Sequence, residues 1–251
     1  MKKRTIIVLL FFMMMMPTIM YSQQTEGCVK YLTSFNWVKM INAAEYLSKQ
    51  RKEKAAYMWG NRSEWKVYTL LYFSPKQSKF EDSEEKTAED NQTYSDRKEV
   101  FFMTRDYENN TFFDAIEMLG KVYLVKDSIH PLEWKILNDM KEVAGHVCMN
   151  ALYTDTLRGQ SVIAWFALDI PVQAGPDSFF GLPGLILEVN INNGAKVITA
   201  EKIDMKAITE EFKLPKKTKG KQMNEAAYLS VIKKFLDEKK KEEEFPWGVR
   251  Y

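Results

Sequence analysis

Apolar and polar residues alternate with a period of two over most of this chain. Gly27 to Thr33, Val67 to Phe73, Val100 to Met103, Thr111 to Phe113 and Lys121 to Val125 all read as short strands. Asn109-Asn110 and Gly120 supply turn chemistry between the later ones. The densest patterning runs from 133 to 204. Glu133 to Leu137 is a strand, Asn138-Asp139 a turn, and Ala144 to Asp155 a longer strand. Arg158-Gly159 turns into Ser161 to Leu168. A Pro- and Gly-punctuated loop then leads to Leu185 to Ile191, and Asn192-Asn193-Gly194 turns into Lys196 to Ile203. Strands in series without intervening helices predict an antiparallel sheet.

Two segments break that period. Residues 40–58 carry Ile41, Ala44, Leu47, Ala55, Ala56 and Met58 at broadly helical spacing, which predicts a short helix. From Asn224 to Lys240, Ala226, Leu229, Ile232 and Phe235-Leu236 mark one face of a longer helix. Residues 81–98 are polar and of mixed charge, the composition of a solvated loop. The tail 241–251 ends in Phe245-Pro246-Trp247-Gly248, apolar groups suited to docking back on the body. The fold expected is mainly β (α+β): a curved antiparallel sheet or half-barrel with a C-terminal helix.

The N-terminus has a different purpose. Lys2, Lys3 and Arg4 precede an apolar run from Thr5 to Met20 and a small residue, Ser22. That is the plan of a secretory signal peptide over 1–22, leaving a single domain over 23–251. The run falls short of the ~20 residues a membrane-spanning helix needs, and Pro17 interrupts it. Without residues 1–22, Lys+Arg falls from 36 to 33 against 34 Asp+Glu, so the exported chain is near neutral. This removes the basic footprint that nucleic-acid binding requires. Six of the fourteen methionines leave with the segment, and with them the case for a Met-rich copper site.

Cys28 and Cys148 then sit in an oxidising compartment. Either they are bridged, which stabilises by about 4–5 kcal/mol in the chain-entropy picture, or they are two separate buried thiols. His130 and His146 lack the ligand count and spacing of a zinc site, so neither metal nor cofactor is expected. No G-x-S-x-G elbow, H-E-x-x-H or Cys-Gly-x-Cys context is present.

One stretch is distinctive: Gly181-Leu182-Pro183-Gly184-Leu185-Ile186-Leu187-Glu188, a Gly/Pro bend joined to an apolar strand. Pro183 fixes its own φ and biases Leu182 toward an extended conformation. The bend reads either as a rigid corner or as a preshaped loop offered to a partner. In the second reading Trp165, Phe166, Phe179, Phe180 and Leu182 supply contact area around Gly181, Pro183 and Gly184. Arg158 and Glu188, on strands expected to be neighbours, are the candidate structural ion pair.

With Trp165-Phe166, Ile170-Pro171, Gly175-Pro176 and Phe180-Gly181 before it, the bend resembles the signature of the GLPGLI family, secreted Porphyromonas–Prevotella-type proteins of Bacteroidetes. Trp134-Lys135-Ile136, Ala144 to Ala151, Arg158-Gly159 and Ser78-Lys79-Phe80 extend the resemblance over most of the exported chain. It implies a protein of the periplasm or outer-membrane periphery, an accessory or binding component. The implied partner is a TonB-dependent receptor or another envelope protein, with an apolar ligand or peptide as the alternative. A weaker similarity links the predicted sheet to the half-barrels of outer-membrane lipoprotein carriers. The competing readings are a hydrolase or peptide-processing enzyme using Glu188, Arg158 or Asp169, and a purely structural envelope component.

Overall fold

The computed structural model describes residues 25–60, 64–85, 100–215 and 218–251. The proposed signal segment lies outside them, as does most of the polar stretch 81–98. The strands are β1 (Gly27–Asn36), β2 (Glu64–Phe73), β3 (Gln77–Asp82), β4 (Phe101–Asp106), β5 (Thr111–Met118), β6 (Lys121–Ser128), β7 (Lys135–Val143), β8 (His146–Asp155), β9 (Gln160–Ala167), β10 (Leu185–Ile191), β11 (Lys196–Met205) and β12 (Lys221–Met223). The helices are α1 (Trp37–Ala43), α2 (Lys49–Trp59) and α3 (Glu225–Lys241).

All twelve strands join one open curved sheet in the order β12-β6-β5-β4-β3-β2-β1-β11-β10-β9-β8-β7. Every pairing is antiparallel except that of β12 with β6. The mainly β fold with a C-terminal helix is thus the one observed. Curvature brings β4–β6 to face β8–β10 across a common core, although four strands separate them in the sheet order. Helix α3 lies over the curve. Asn224 Oδ1 accepts from the Ala227 N–H at its start, and Tyr228, Ile232 and Leu236 bury one stripe.

Three local readings need correction. The helix expected over 40–58 is two helices. Asn36 caps the first one earlier, accepting from the Lys39 N–H, and extended backbone at Ala44 ends it. The turn expected at Asn138-Asp139 is a bulge inside β7, where the register shifts between Ile136 and Met140. Asn150 holds it from the next strand, accepting from the Asp139 N–H at 3.1 Å and donating to the Asp139 carboxylate at 3.0 Å. The reversal comes at Ala144-Gly145, both with positive φ. Glu81 and Asp82, assigned to the polar loop, finish strand β3, which pairs with β2 and β4.

Candidate functional site

The bend at 181–184 is built from close backbone approaches. Gly181 adopts φ +90, a left-handed conformation that disfavours a side chain. A Cβ at Gly184 would overlap the Ala167 carbonyl oxygen, so only glycine lets the loop lie on β9. The Gly181 N–H donates to the Gln173 carbonyl and the Ile186 N–H to the Ala174 carbonyl, closing the loop on itself. Trp134 Nε1 donates to the Phe180 carbonyl at 2.8 Å. Across the sheet, the fully buried Tyr31 hydroxyl donates to the Ile186 carbonyl at 2.6 Å, beside the register shift in β10. Burial pushes that phenol well above its ordinary range.

This geometry overturns the expected contact surface. Phe166, Phe179, Phe180 and Leu182 are all buried, because the bend folds inward over the core. Trp165 is half-buried, with the Lys141 ammonium 4.4 Å above its ring. Gly181 and Pro183 are exposed, together with Leu168 beside them.

The Arg158–Glu188 pair is also corrected. Glu188 lies opposite Trp165 and takes Lys141 at 2.5 Å. Arg158 sits in the β8–β9 turn, beyond the end of that ladder, and pairs with Asp155 at 2.7 Å. Asp169, the third residue of the hydrolase reading, pairs with His146 at 2.6 Å. The three do not converge. Cys28 and Cys148 are free thiols on β1 and β8, with β11, β10 and β9 between those strands. Burial raises each thiol to about 11.

The charged groups that do converge went unread in the sequence. A cavity of about 330 Å³ opens inside the curve, between β4–β6, the β8–β9 turn, α3 and the C-terminal tail. Its walls are apolar, with Met103, Phe112, Ile116, Leu132 and Ile232 among them. Its charged lining includes Arg105, Asp114, Asp155, Arg158, Asp177 and Arg250, with Glu225 beside His130. Arg105 Nη1 meets Asp114 Oδ1 at 2.5 Å with both side chains buried, and the guanidinium packs on Phe112 and Phe180. Burial raises the Asp114 carboxyl, although Arg105 opposes the shift.

Asp177 comes from the loop before the bend. Its backbone is left-handed (φ +57), a conformation aspartate tolerates, and its Oδ1 accepts from the Ser178 N–H. Its other oxygen takes Lys196 Nζ at 2.6 Å. Burial works to raise the Asp177 carboxyl, but Lys196 and Arg250 outweigh it and hold the group low. Lys196 also donates to the Tyr251 main-chain oxygen at 2.7 Å, which anchors the tail over the cavity. Arg250 stacks on Phe101 and pairs with Asp82 at 2.9 Å, while its buried Nε has no acceptor among the described residues. At the mouth, His130 Nδ1 lies 2.9 Å from Glu225, joining the β6–β7 connection to the start of α3.

One signal for this site was available in the alternation. Phe101, Met103 and Arg105 share a face of β4, and Phe112, Asp114 and Ile116 share a face of β5. A cation and an anion each stand where the pattern calls for an apolar side chain, on adjacent strands.

Among solved structures the chain is similar to PNGF-II in its C2 and P21 crystal forms. Both comparisons give a TM-score of 0.54 at 13% identity, covering 82% of this chain but 32% and 33% of the other. The chain spans about a third of the length of PNGF-II, and the likeness is one of fold. No curated protein matches it significantly. Residues 157–188, which carry the β8–β9 turn, Asp177 and the bend, match the model of a family described as "Protein of unknown function (Porph_ging)".

Proposed function

We propose that this chain is an exported, non-enzymatic binding protein of the cell envelope that takes a small amphiphile with an anionic or hydrogen-bond-accepting head into the cavity under α3. The observation that carries this reading is the meeting of three guanidinium groups, Arg105, Arg158 and Arg250, in one cavity with apolar walls. An anionic or hydrogen-bond-accepting head finds charged donors there, while Met103, Phe112, Ile116 and Ile232 receive an apolar body. The volume lies at the small end of ligand pockets.

Binding is favoured over acid–base chemistry because each carboxylate of the lining is already engaged: Asp114 by Arg105, Asp155 by Arg158, Asp177 by Lys196, and Glu225 by the His130 ring. A general acid or base has to be free to exchange its proton with a substrate. A TonB-dependent receptor or other envelope partner, in the periplasm or at the outer-membrane periphery, remains the destination proposed for the loaded protein.

Titration of residues 23–251 with anilinonaphthalene sulfonate, an anionic amphiphile, tests the reading. Saturable fluorescence enhancement is expected, and Leu229→Trp, which fills the mouth, should abolish it. No saturable enhancement, or enhancement indifferent to Leu229→Trp, sinks the cavity as a binding site.

A further inference from the structure

Helix α2 adds nothing to the core, since none of its eleven residues is buried. An isolated helix of this length is marginal in water. It is held at two points. Lys52 Nζ donates to the Asn42 carbonyl at 3.1 Å, and Trp59 enters an aromatic cluster. The rest faces outward: Lys49, Arg51 and Lys54 in the first turns, then Tyr57 at 91% and Met58 at 66% exposure.

Beside it, Trp37 is the hub of a cluster with Trp59 at 6.1 Å, Trp65 at 6.1 Å and Trp247 at 5.5 Å. These are four of the chain's six tryptophans, and Trp65 and Trp247 are 42% and 52% exposed. Large amphipathic rings of this kind suit a boundary that is apolar on one side and wet on the other. Lysine and arginine stems lie along such a boundary while their charged heads reach outward.

We propose that α2 and the Trp37–Trp59–Trp65–Trp247 cluster form a seat for an anionic lipid surface. Charge complementarity selects the occupant: α2 carries four basic residues against the single acidic Glu53. In the nearby acidic run after α3, Glu242 and Glu244 both accept from Lys239 at 2.7 Å, and Glu244 also feels the charge of Arg51. Lys49, Arg51 and Lys54 lie next to the exposed Tyr57 and Met58 on one short helix, so charged heads and apolar groups are offered to the same surface. No helix among the described residues is long and apolar enough to cross a membrane; α2, at eleven residues, would lie along the surface. This seat is independent of the cavity and does not rest on its ligand.

Every described element begins after residue 25, so residues 23–251 are the form to test. The protein is mixed with phosphatidylcholine vesicles and with vesicles containing phosphatidylglycerol, and both sedimentation and tryptophan emission are read. Co-sedimentation with the anionic vesicles alone is expected, with a blue shift in emission and release at about 1 M salt, where the Debye length is ~3 Å. The K49E/R51E/K54E variant should bind roughly tenfold or more weakly, since each cation near an anionic surface adds attraction. The Y57S/M58S variant should lose the remainder. Neither change touches a buried residue, so thermal melts should match the parent and separate lost binding from lost folding. Failure to bind anionic vesicles, equal binding to neutral ones, or binding indifferent to both variants overturns the proposal. A requirement for an acidic protein in place of vesicles overturns it equally.

Discussion

Lys196 and Asp177 form an ion pair at 2.6 Å inside the protein, with the ammonium 1% and the carboxylate 10% exposed. The pair ties the Gly175–Phe180 loop to β11, and through the Tyr251 oxygen it ties the tail to both. Removing one partner leaves an uncompensated buried charge. Lys196→Met and Asp177→Leu should each cost about 3–5 kcal/mol, read from urea unfolding, and the double variant should cost less than their sum. Additive losses would show that the two charges are not coupled.

The same logic applies to Arg105 and Asp114, with a different secondary effect. Thr104 also donates its N–H to Asp114. Arg105→Met alone should destabilise by about 3–5 kcal/mol, whereas Arg105→Met with Asp114→Leu should recover most of it. Binding of the anionic amphiphile should weaken in both, because the cavity loses one of its three guanidinium groups either way.

Acid should separate the two carboxylates. Asp177 is held below its unfolded value, so its contribution is present above that value, about 3.9, and is lost as pH falls through the folded one. Asp114 is raised, so the folded chain takes its proton first and gains stability on acidification through that window. Urea midpoints from about pH 7 to about pH 3 should therefore show a flatter acid limb in Asp177→Asn and a steeper one in Asp114→Asn. The opposite ordering would refute the assignment.

The two glycines of the bend should differ in kind. Gly184→Ala drives a Cβ into the Ala167 carbonyl, which the paired strand cannot yield, and should cost about 3 kcal/mol. Gly181→Ala meets nothing within 4 Å and carries only the left-handed backbone penalty, about 1–2 kcal/mol. Calorimetric melting temperatures should fall in that order, by roughly 2–4 °C for each kcal/mol.

Both thiols should resist alkylation in the native state and react fully in denaturant, because burial holds each near 11. Intact mass after iodoacetamide treatment reads this directly. A single oxidised species lacking two hydrogens would restore the disulfide.

Period-two alternation and short turn signals made the sheet legible, because each strand's pattern is local. The three-residue β12 was not legible, since a strand that short has no pattern of its own. The Asn138-Asp139 reading failed because residues with turn propensity were held in a strand by the side chain of Asn150, eleven positions on from Asp139. Phe166, Phe179 and Phe180 were misassigned because aromatic character does not say which face of a loop turns inward. The cavity was invisible for a related reason. Arg250 and Asp82, or Asp177 and Lys196, meet only once the curve is closed.

The kink that Asn150 imposes on β7 has a consequence for how molecules meet one another. An open sheet leaves a row of unpaired amides and carbonyls along its outermost strand, a template on which a neighbouring copy can add. Here that row is broken in the middle and flanked by Lys135, Lys141 and Glu142, so a second β7 finds neither matching register nor matching charge. The broken register and the charges beside it both oppose strand addition at this edge of the sheet.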